Sequence, residues 1–424
     1  MVDLKKLLKY SKEDSLIRDS AILFFSTLGL NLAGFFFHFF MGRVLGPAEY
    51  GILGAIFSLL YIILVPFNVV QTSITNFVAS FKAKNQIDKI NILLRRSMKR
   101  LFFIGLIVFI LFFAFSSIIA NFLNIPVKPL RFLSPIIIFA LMLPVLRGIM
   151  QGMERFKALG INMTIEGIAK IGFGILFVVL GFGVAGAVSA LVVSYLVPFV
   201  IALFVLIVYL KKKNESFDSK EIYSYAIPVM ISLVLFTGLY TIDTLLVKKF
   251  FSESEAGLYI ALSYIGRIIF FGTQSIALVM FPKSVANFSL NKQNNKLLKK
   301  ALFLVTLLGG FAVLIYSLFP KLIINILYGK NYLAIANMTG LFGLIMLFLS
   351  LSYVLVYYNL SINRKRFVYI LGLFLLIEVV TIYLYHSSLM QVVLILLGLS
   401  ISMFIALIIY TFKNEKTINN NSSV

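Results

Sequence analysis

Apolar segments about 20 residues long recur along the whole of this 424-residue chain, separated by short charged connections. A helix of about that length crosses the hydrocarbon core of a bilayer, which is about 30 Å thick. Hydrophobic residues make up 61% of the chain, compared with roughly 45–50% in soluble domains. The apolar runs do not alternate with polar residues, as strands of a transmembrane barrel do, so they indicate helices. The sequence therefore predicts an all-α polytopic membrane protein.

The hydropathy pattern predicts about twelve transmembrane helices. They cover approximately residues 19–41, 51–81, 101–124, 132–154, 160–181, 184–210, 222–247, 256–281, 301–327, 333–362, 367–386 and 388–412. Every polar connection between them is short, so we expect no folded domain outside the membrane. The charged amino-terminal stretch lacks the apolar core of a cleavable signal peptide, and we expect the first span to be retained.

The distribution of lysine and arginine predicts the topology. If the amino terminus is cytoplasmic, 28 of the 38 basic residues fall in cytoplasmic segments, seven in outer connections and three within spans. Because positive charge flanking a span favours the cytoplasm, both termini are predicted to be cytoplasmic, in a multi-pass protein of the cell (cytoplasmic) membrane. The net charge of +22 is then explained by topology and by anionic membrane lipids as partners, rather than by nucleic acid.

Two stretches of the sequence repeat each other. "MGRVLGPAEYGILGAIFSLLYI" (Met41–Ile62) and "VKKFFSESEAGLYIALSYIGRI" (Val247–Ile268) each place a short charged turn before an apolar run. At a constant offset of 206 residues, Gly51 aligns with Gly257, and several neighbouring positions also match. The match indicates an internal duplication.

A second sequence match supports the duplication. "LLRR" at Leu93–Arg96 corresponds to "LLKK" at Leu297–Lys300, at an offset of 204 residues, which is close to half the chain length. Parallel repeats of this kind are related by an axis along the membrane normal. We therefore predict two six-helix lobes, residues 1–212 and 213–424.

The residue content argues against catalysis. The chain has two histidines, His38 and His386, in different predicted lobes, and it has no cysteine. An enzyme would need a convergent set of nucleophile, base or metal ligands. The sequence predicts no enzymatic activity, no cofactor and no metal site. A membrane glycosyltransferase or polymerase is a less favoured alternative, because the outer connections are short.

Ionisable residues within the spans are the best candidates for function. Such residues cost a few kcal/mol each at bilayer depth and usually face a partner or a water-filled cavity. They are Arg147, Glu166, Lys170, Asp243, Arg267 and Glu378. Glu166 and Lys170 are four residues apart on one helix and can pair. Glu378 has no second polar signal beside it, and we expect a structural or protonated acid there.

Neutral polar residues share helix faces with several of these charges. Gln151 lies one turn from Arg147, and Gln274 lies two turns from Arg267. The predicted substrate-binding residues are Arg147, Gln151, Lys170, Arg267, Gln274, Asp243, Asn31 and Asn76. The alternative interpretation is that these groups are interhelical hydrogen-bonding partners that stabilise helix packing.

Three segments carry a resemblance to a known family. "GRVLGPAEYGILGAIFSLLYI", "LRGIMQGMERFK" and "YTIDTLLVKKFFSESEAGLY" resemble the polysaccharide (O-antigen or repeat-unit) flippases of the multidrug/oligosaccharidyl-lipid/polysaccharide (MOP) exporter superfamily. The resemblance implies two six-helix lobes in a V shape like that of the multidrug-and-toxin extruders (MATE), around a cavity that opens alternately to each side. It also implies that cavity arginines and lysines hold an anionic head group, and Asp243 matches a family position.

The expected function is translocation of a polyprenyl-(pyro)phosphate-linked oligosaccharide from the cytoplasmic to the outer leaflet, for synthesis of a cell-surface glycan. The implied partners are this lipid-linked oligosaccharide, membrane lipids and glycan-assembly enzymes. A cation-coupled multidrug antiporter of the same superfamily is the alternative. An antiporter favours an acidic cavity, whereas the six charges within the spans are three positive and three negative.

Overall fold

The computed structural model describes residues 4–206, 230–289, 295–362 and 364–421, and the regular elements in these ranges are helices. Helices satisfy the backbone hydrogen bonds of an apolar segment internally, as the bilayer requires. The all-α fold class predicted from the sequence is confirmed.

The first helices run in chain order to residue 206. They are α1 (Leu4–Ala83), α2 (Ile87–Leu123), α3 (Val127–Leu133), α4 (Ile136–Gly152), α5 (Phe156–Phe177) and α6 (Gly183–Leu206). A π-helical turn, Val178–Phe182, joins α5 to α6.

The remaining helices begin at residue 230. They are α7 (residues 230–238), α8 (Ile242–Phe250), α9 (Glu253–Ser289), α10 (Asn295–Leu318), α11 (Pro320–Leu327), α12 (Ala336–Ser361), α13 (Phe367–Leu384) and α14 (Leu389–Asn421). A 3-10 helix, Lys330–Ile335, leads into α12.

Within the described residues, ten helical stretches are long and apolar enough to cross a membrane. Two of them, Phe25–Lys82 and Phe156–Leu206, contain 58 and 51 residues and so have the length of two crossings each. Each is interrupted by a glycine with positive φ, Gly46 at 73° and Gly181 at 88°, a conformation that glycine adopts without a steric penalty. The number twelve and the side on which the termini lie stay predictions.

The chain forms two compact units. Unit one contains Met1–Met41 and Pro66–Ala226, and unit two contains Gly42–Val65 and Ile227–Val424. The first copy of the repeated turn, apart from Met41, therefore belongs to unit two, with the second copy. The predicted lobe boundary at residue 212 lies outside the described residues and stays a prediction.

In unit one, small residues bring α1 and α4 into contact. A Cβ atom at Gly148 would lie 2.8 Å from the carbonyl oxygen of Gln71, and one at Gly152 would lie 2.8 Å from that of Thr75. The neighbouring core is apolar, with Leu146 fully buried. The two glycines thus set the close approach that positions the polar side chains described below.

In unit two, the two copies of the repeated turn pack against each other. A Cβ atom at Gly257 would overlap the carbonyl oxygen of Pro47, and one at Gly51 would lie 2.7 Å from that of Glu253. Gly51 and Gly257 are the equivalent positions of the duplication. Each glycine therefore allows the backbone of the other copy to approach closely, which explains why both copies have glycine at this position.

Side chains hold the first copy in place. The Arg43 guanidinium donates to the last carbonyls of α11, with Nε 3.2 Å from the oxygen of Leu327. These carbonyls have no partner within their own helix. The Tyr50 and Tyr328 hydroxyls are hydrogen-bonded at 3.0 Å, and both side chains are buried. Arg43 and Tyr50 therefore fix the turn that precedes the glycine contact.

Candidate functional site

In unit one, Arg147 of α4 is held by two residues of α5. Its Nη2 lies 2.7 Å from Glu166 Oε2, and its Nε donates to Asn162 Oδ1 at 2.8 Å. Asn162 Nδ2 in turn donates to the carbonyl oxygen of Pro198 in α6, at 2.7 Å. Arg147, Asn162 and Glu166 are all buried. The positive charge of Arg147 is therefore balanced locally, in a network that joins three helices.

Lys170 lies one turn beyond Glu166 on α5. It is half-buried and interacts electrostatically with Glu166 and Arg147. The sequence pairs Glu166 with Lys170, whereas the structure gives Arg147 as the close partner of Glu166. Arg147 and Lys170 thus share one carboxylate, Glu166, whose oxygen lies close to Arg147.

Gln151, near the end of α4, joins a neutral polar cluster with α1. Its Oε1 accepts a hydrogen bond from Gln71 Nε2 at 3.1 Å and another from Thr75 Oγ1 at 3.3 Å. All three side chains are half-buried. We call Gln71, Thr75 and Gln151 the amide cluster.

Of the two asparagines predicted on the first spans, the structure describes the side chain of Asn31. Asn31 is exposed on α1, and the described residues give it no hydrogen bond. The side chain of Asn76 lies outside the described part of the chain. The structure therefore does not connect Asn31 to the other candidates.

In unit two, Arg267 of α9 is fully buried among aromatic rings. Its guanidinium carbon lies 4.9, 5.6 and 5.8 Å from the ring centroids of Tyr264, Tyr240 and Tyr61, which we call the tyrosine cage. The rings stabilise the cation through their π faces. Tyr61 and Arg267 are equivalent positions of the duplication, at the offset of 206.

The hydrogen-bonding capacity of Arg267 is only partly used. Its Nη2 donates to the carbonyl oxygen of Tyr240 at 2.7 Å. Its Nε and Nη1 have no hydrogen-bond partner among the described residues. Buried N–H groups without an acceptor are unfavourable, and those of a cation more so. Nε and Nη1 point to different sides of the guanidinium, so Arg267 keeps two separate buried donors without a partner among the described residues.

Two buried acids lie in the same unit. Asp243, at the start of α8, accepts a hydrogen bond from the Tyr259 hydroxyl at 2.7 Å and interacts electrostatically with Arg267. Glu378 of α13 interacts electrostatically with Asp243, and its Oε1 has no hydrogen-bond partner among the described residues. Glu378 also lines a cavity of about 20 Å³ together with Ser400, which is room for one water molecule.

Gln274 lies two turns beyond Arg267 on α9. Its Nε2 donates to the Tyr353 hydroxyl at 2.9 Å. The Tyr353 ring packs against Phe236 and Phe270, at centroid distances of 5.2 and 5.3 Å. Gln274 is thus a hydrogen-bonding partner between α9 and α12, next to an aromatic cluster.

Sequence reasoning missed several residues that complete these sites. They are Asn162, Gln71, Tyr61, Tyr240, Tyr259 and Tyr264. For two of them a signal was present in the spacing: Asn162 precedes Glu166 by four residues, and Tyr264 precedes Arg267 by three. Residues at those spacings lie on one face of a helix.

A family model described as "Polysaccharide biosynthesis protein" matches residues 16–288 of the chain. The matched region includes both copies of the repeated turn, α4, α5 and Arg267. No curated protein sequence matches the chain.

Solved structures of similar fold are transporters. A multidrug resistance MATE family transporter of the MOP superfamily, in an inward-facing conformation, is 15% identical with a TM-score of 0.80, over 93% of this chain and 96% of that one. A MATE protein in a straight conformation has 15% sequence identity and a TM-score of 0.70, over 97% of each chain. A third structure is a MOP superfamily transporter from Pyrococcus furiosus, described as having a binding pocket of reversed polarity. It has 14% sequence identity and a TM-score of 0.63, over 96% of this chain and 95% of that one. The MATE-like fold expected from the sequence is confirmed.

Proposed function

We propose that this chain, since it belongs to the family of polysaccharide biosynthesis proteins, carries a polyprenyl-(pyro)phosphate-linked oligosaccharide from the cytoplasmic to the outer leaflet by alternating access. It is a multi-pass membrane protein with a MATE-like fold, and its family and fold are those of transporters rather than enzymes. The membrane is the cell membrane, and glycan-assembly enzymes supply the cargo.

The physical problem is the head group of such a lipid. A hydrated sugar phosphate loses its water in hydrocarbon, at a cost of several kcal/mol for each unpaired polar group. A transporter replaces the lost water with hydrogen-bond donors and acceptors, while the polyprenyl chain stays in lipid. An inside-negative potential favours outward movement of the anion by about 2.3 kcal/mol per charge per 100 mV.

The observation that carries the proposal is that Arg267 is buried with unused hydrogen-bond donors. A guanidinium carries five N–H donors in one plane and stays charged, so it can hydrogen-bond several phosphate oxygens at once, which is why arginine is favoured at phosphate sites. Arg267 is fully buried within a span and keeps two N–H groups without a partner among the described residues. Because it is closed in by the tyrosine cage, the head group reaches it only after a rearrangement, which alternating access provides.

Arg267→Met is expected to lower transport of a lipid-linked oligosaccharide about tenfold or more, because hydrogen bonds to charged groups contribute about 1.5–3 kcal/mol. The measurement uses the protein reconstituted in vesicles with an inside-negative potential, and it follows the appearance of the glycan outside. Arg267→Lys keeps the positive charge but loses the planar set of N–H donors, so we expect a transport rate between those of the wild type and Arg267→Met.

Arg131→Met is the matched control, since Arg131 also lies over an aromatic ring, 5.4 Å from the centroid of Phe113, but is exposed. It should transport at the wild-type rate. Equal rates in Arg267→Met and Arg131→Met, with equal thermal stability, would exclude Arg267 from substrate binding.

The second candidate function is a cation-coupled multidrug antiporter, and the acid pair favours it. Two interacting buried carboxyl groups, Asp243 and Glu378, suit a proton or a metal cation better than an anion. The antiporter proposal predicts efflux of an organic cation driven by a proton or sodium gradient, and loss of that coupling in Glu378→Gln. Vesicles containing the wild-type protein that do not move a fluorescent cation under either gradient would exclude this candidate.

A further inference from the structure

The amide cluster of unit one is built on a rigid contact between two helices. The backbone of α1 at Gln71 and Thr75 touches α4 at Gly148 and Gly152, with no room for a side chain between them. The contact brings Gln71, Thr75 and Gln151 together although 76 residues separate Thr75 from Gln151. Their positions are therefore set by the helix packing.

The hydrogen bonds of the cluster leave one donor group and one acceptor unused. Gln151 Oε1 accepts from both Gln71 Nε2 and Thr75 Oγ1. Thr75 Oγ1 also lies 2.8 Å from the carbonyl oxygen of Gln71 and 3.3 Å from that of Gly148. The described residues provide no hydrogen-bond partner for Gln151 Nε2 or Gln71 Oε1. The cluster thus keeps one amide donor group, Gln151 Nε2, and one amide acceptor, Gln71 Oε1, on two side chains that are joined by a hydrogen bond.

The location of the cluster determines which partners can bind to these two amide groups. Gln71 and Gln151 lie within the helical stretches Phe25–Lys82 and Val127–Gly152, which are long and apolar enough to cross the membrane. Both side chains are half-buried, and Thr72 next to Gln71 is exposed. An unpaired amide in contact with hydrocarbon costs several kcal/mol, so this face contacts water or a polar ligand.

The chemistry of the cluster selects a neutral ligand. None of its side chains is charged, and the two unused amide groups are complementary, one a donor and one an acceptor. A sugar hydroxyl both donates and accepts, and neighbouring hydroxyls on a ring match such a pair. Phosphate groups are better bound by cations such as Lys170 and Arg267, and two N–H groups of Arg267 have no partner among the described residues.

We infer that the amide cluster is a subsite for sugar hydroxyl groups of the transported lipid. This inference rests on the proposed function, because it assigns the glycan part of the same cargo. Gln151 Nε2 donates to one hydroxyl, and Gln71 Oε1 accepts from a hydroxyl of the same sugar. The subsite recognises the glycan, and the cationic residues recognise the phosphate.

The test compares two lipids that differ only in the glycan. The probes are a polyprenyl diphosphate bearing an oligosaccharide and the same polyprenyl diphosphate without sugar, and their Kd values are measured with the full chain in nanodiscs. We expect Gln151→Leu to weaken binding of the glycosylated lipid about tenfold, the effect of losing two neutral hydrogen bonds, with no change for the sugar-free lipid. Gln71→Leu should act in the same way.

Thr164→Val is the matched control, because Thr164 is exposed on α5 and its hydroxyl bonds only to the carbonyl oxygen of Gly160, at 2.9 Å. It should leave both Kd values unchanged. Equal weakening of both lipids by Gln151→Leu, or a wild-type preference for the glycosylated lipid retained in that variant, would overturn the subsite. A wild-type protein that binds neither lipid would instead overturn the proposed function.

Discussion

Gly257→Ala is expected to destabilise the protein by about 3 kcal/mol or more, the upper end of the range for overpacked sites. A Cβ at this position would overlap the carbonyl oxygen of Pro47, and a backbone atom cannot rotate away as the end of a flexible side chain can. Because the chain contains no tryptophan, unfolding in detergent is followed by tyrosine fluorescence or by the monomer fraction that remains after heating.

Gly272→Ala provides a control on the same helix. A Cβ there meets no atom within 4 Å, and alanine has a higher helix propensity than glycine. We therefore expect no loss of stability from this substitution. Gly51→Ala, at the equivalent position of the repeat, should be destabilising, since its Cβ would lie 2.7 Å from the carbonyl oxygen of Glu253. If Gly257→Ala and Gly272→Ala unfold at the same temperature, the two copies do not pack as described.

The fold class could be predicted from the sequence, because it is expressed in local patterns, and the repeated turn is likewise visible in the sequence. Apolar length indicates transmembrane helices wherever it occurs, and a constant offset of 206 residues is visible without any structure. The packing of Gly51 against the second copy could not be predicted in this way. It depends on how two helices approach in space, and the sequence shows only that both positions are glycine.

The buried charged residues of the candidate site could be named from the sequence, but most of their partners could not. Spacing along one helix suggested Lys170 as the partner of Glu166, since i and i+4 side chains are neighbours. Arg147 is 19 residues away on another helix, and its contact with Glu166 depends on the rotation of both helices about their axes. In the tyrosine cage, Tyr264 is on the same helix as Arg267, whereas Tyr61 and Tyr240 come from other segments of the chain.

Glu166→Leu is expected to destabilise the protein by about 3–5 kcal/mol, because it leaves the buried cation of Arg147 without its carboxylate. The pair is 2.7 Å apart, with side chains only 10% and 5% exposed. Replacing both residues removes the buried charge altogether, so Arg147→Met combined with Glu166→Leu should recover most of the loss. Recovery stays incomplete because Asn162 Oδ1 loses its donor. The cycle is measured by thermal unfolding of the three variants.

The ion pair Lys82–Glu154 is the matched control. Its atoms are also close, at 2.5 Å, but the Glu154 side chain is 67% exposed. Glu154→Leu should therefore change stability by no more than about 1 kcal/mol, as is usual for surface pairs. A Glu166→Leu effect as small as that of Glu154→Leu would mean that Arg147 is not buried against Glu166.

The transport rate of the double variant, Arg147→Met with Glu166→Leu, distinguishes a role of Arg147 in substrate binding from a role in helix packing. Its charge is balanced by Glu166 and its Nε is bonded to Asn162, whereas Arg267 keeps two donors without partners among the described residues. We therefore expect the double variant to transport the lipid-linked oligosaccharide at close to the wild-type rate, while Arg267→Met does not. If the double variant folds stably and loses transport, Arg147 binds the cargo, and its bond to Glu166 must open during the cycle.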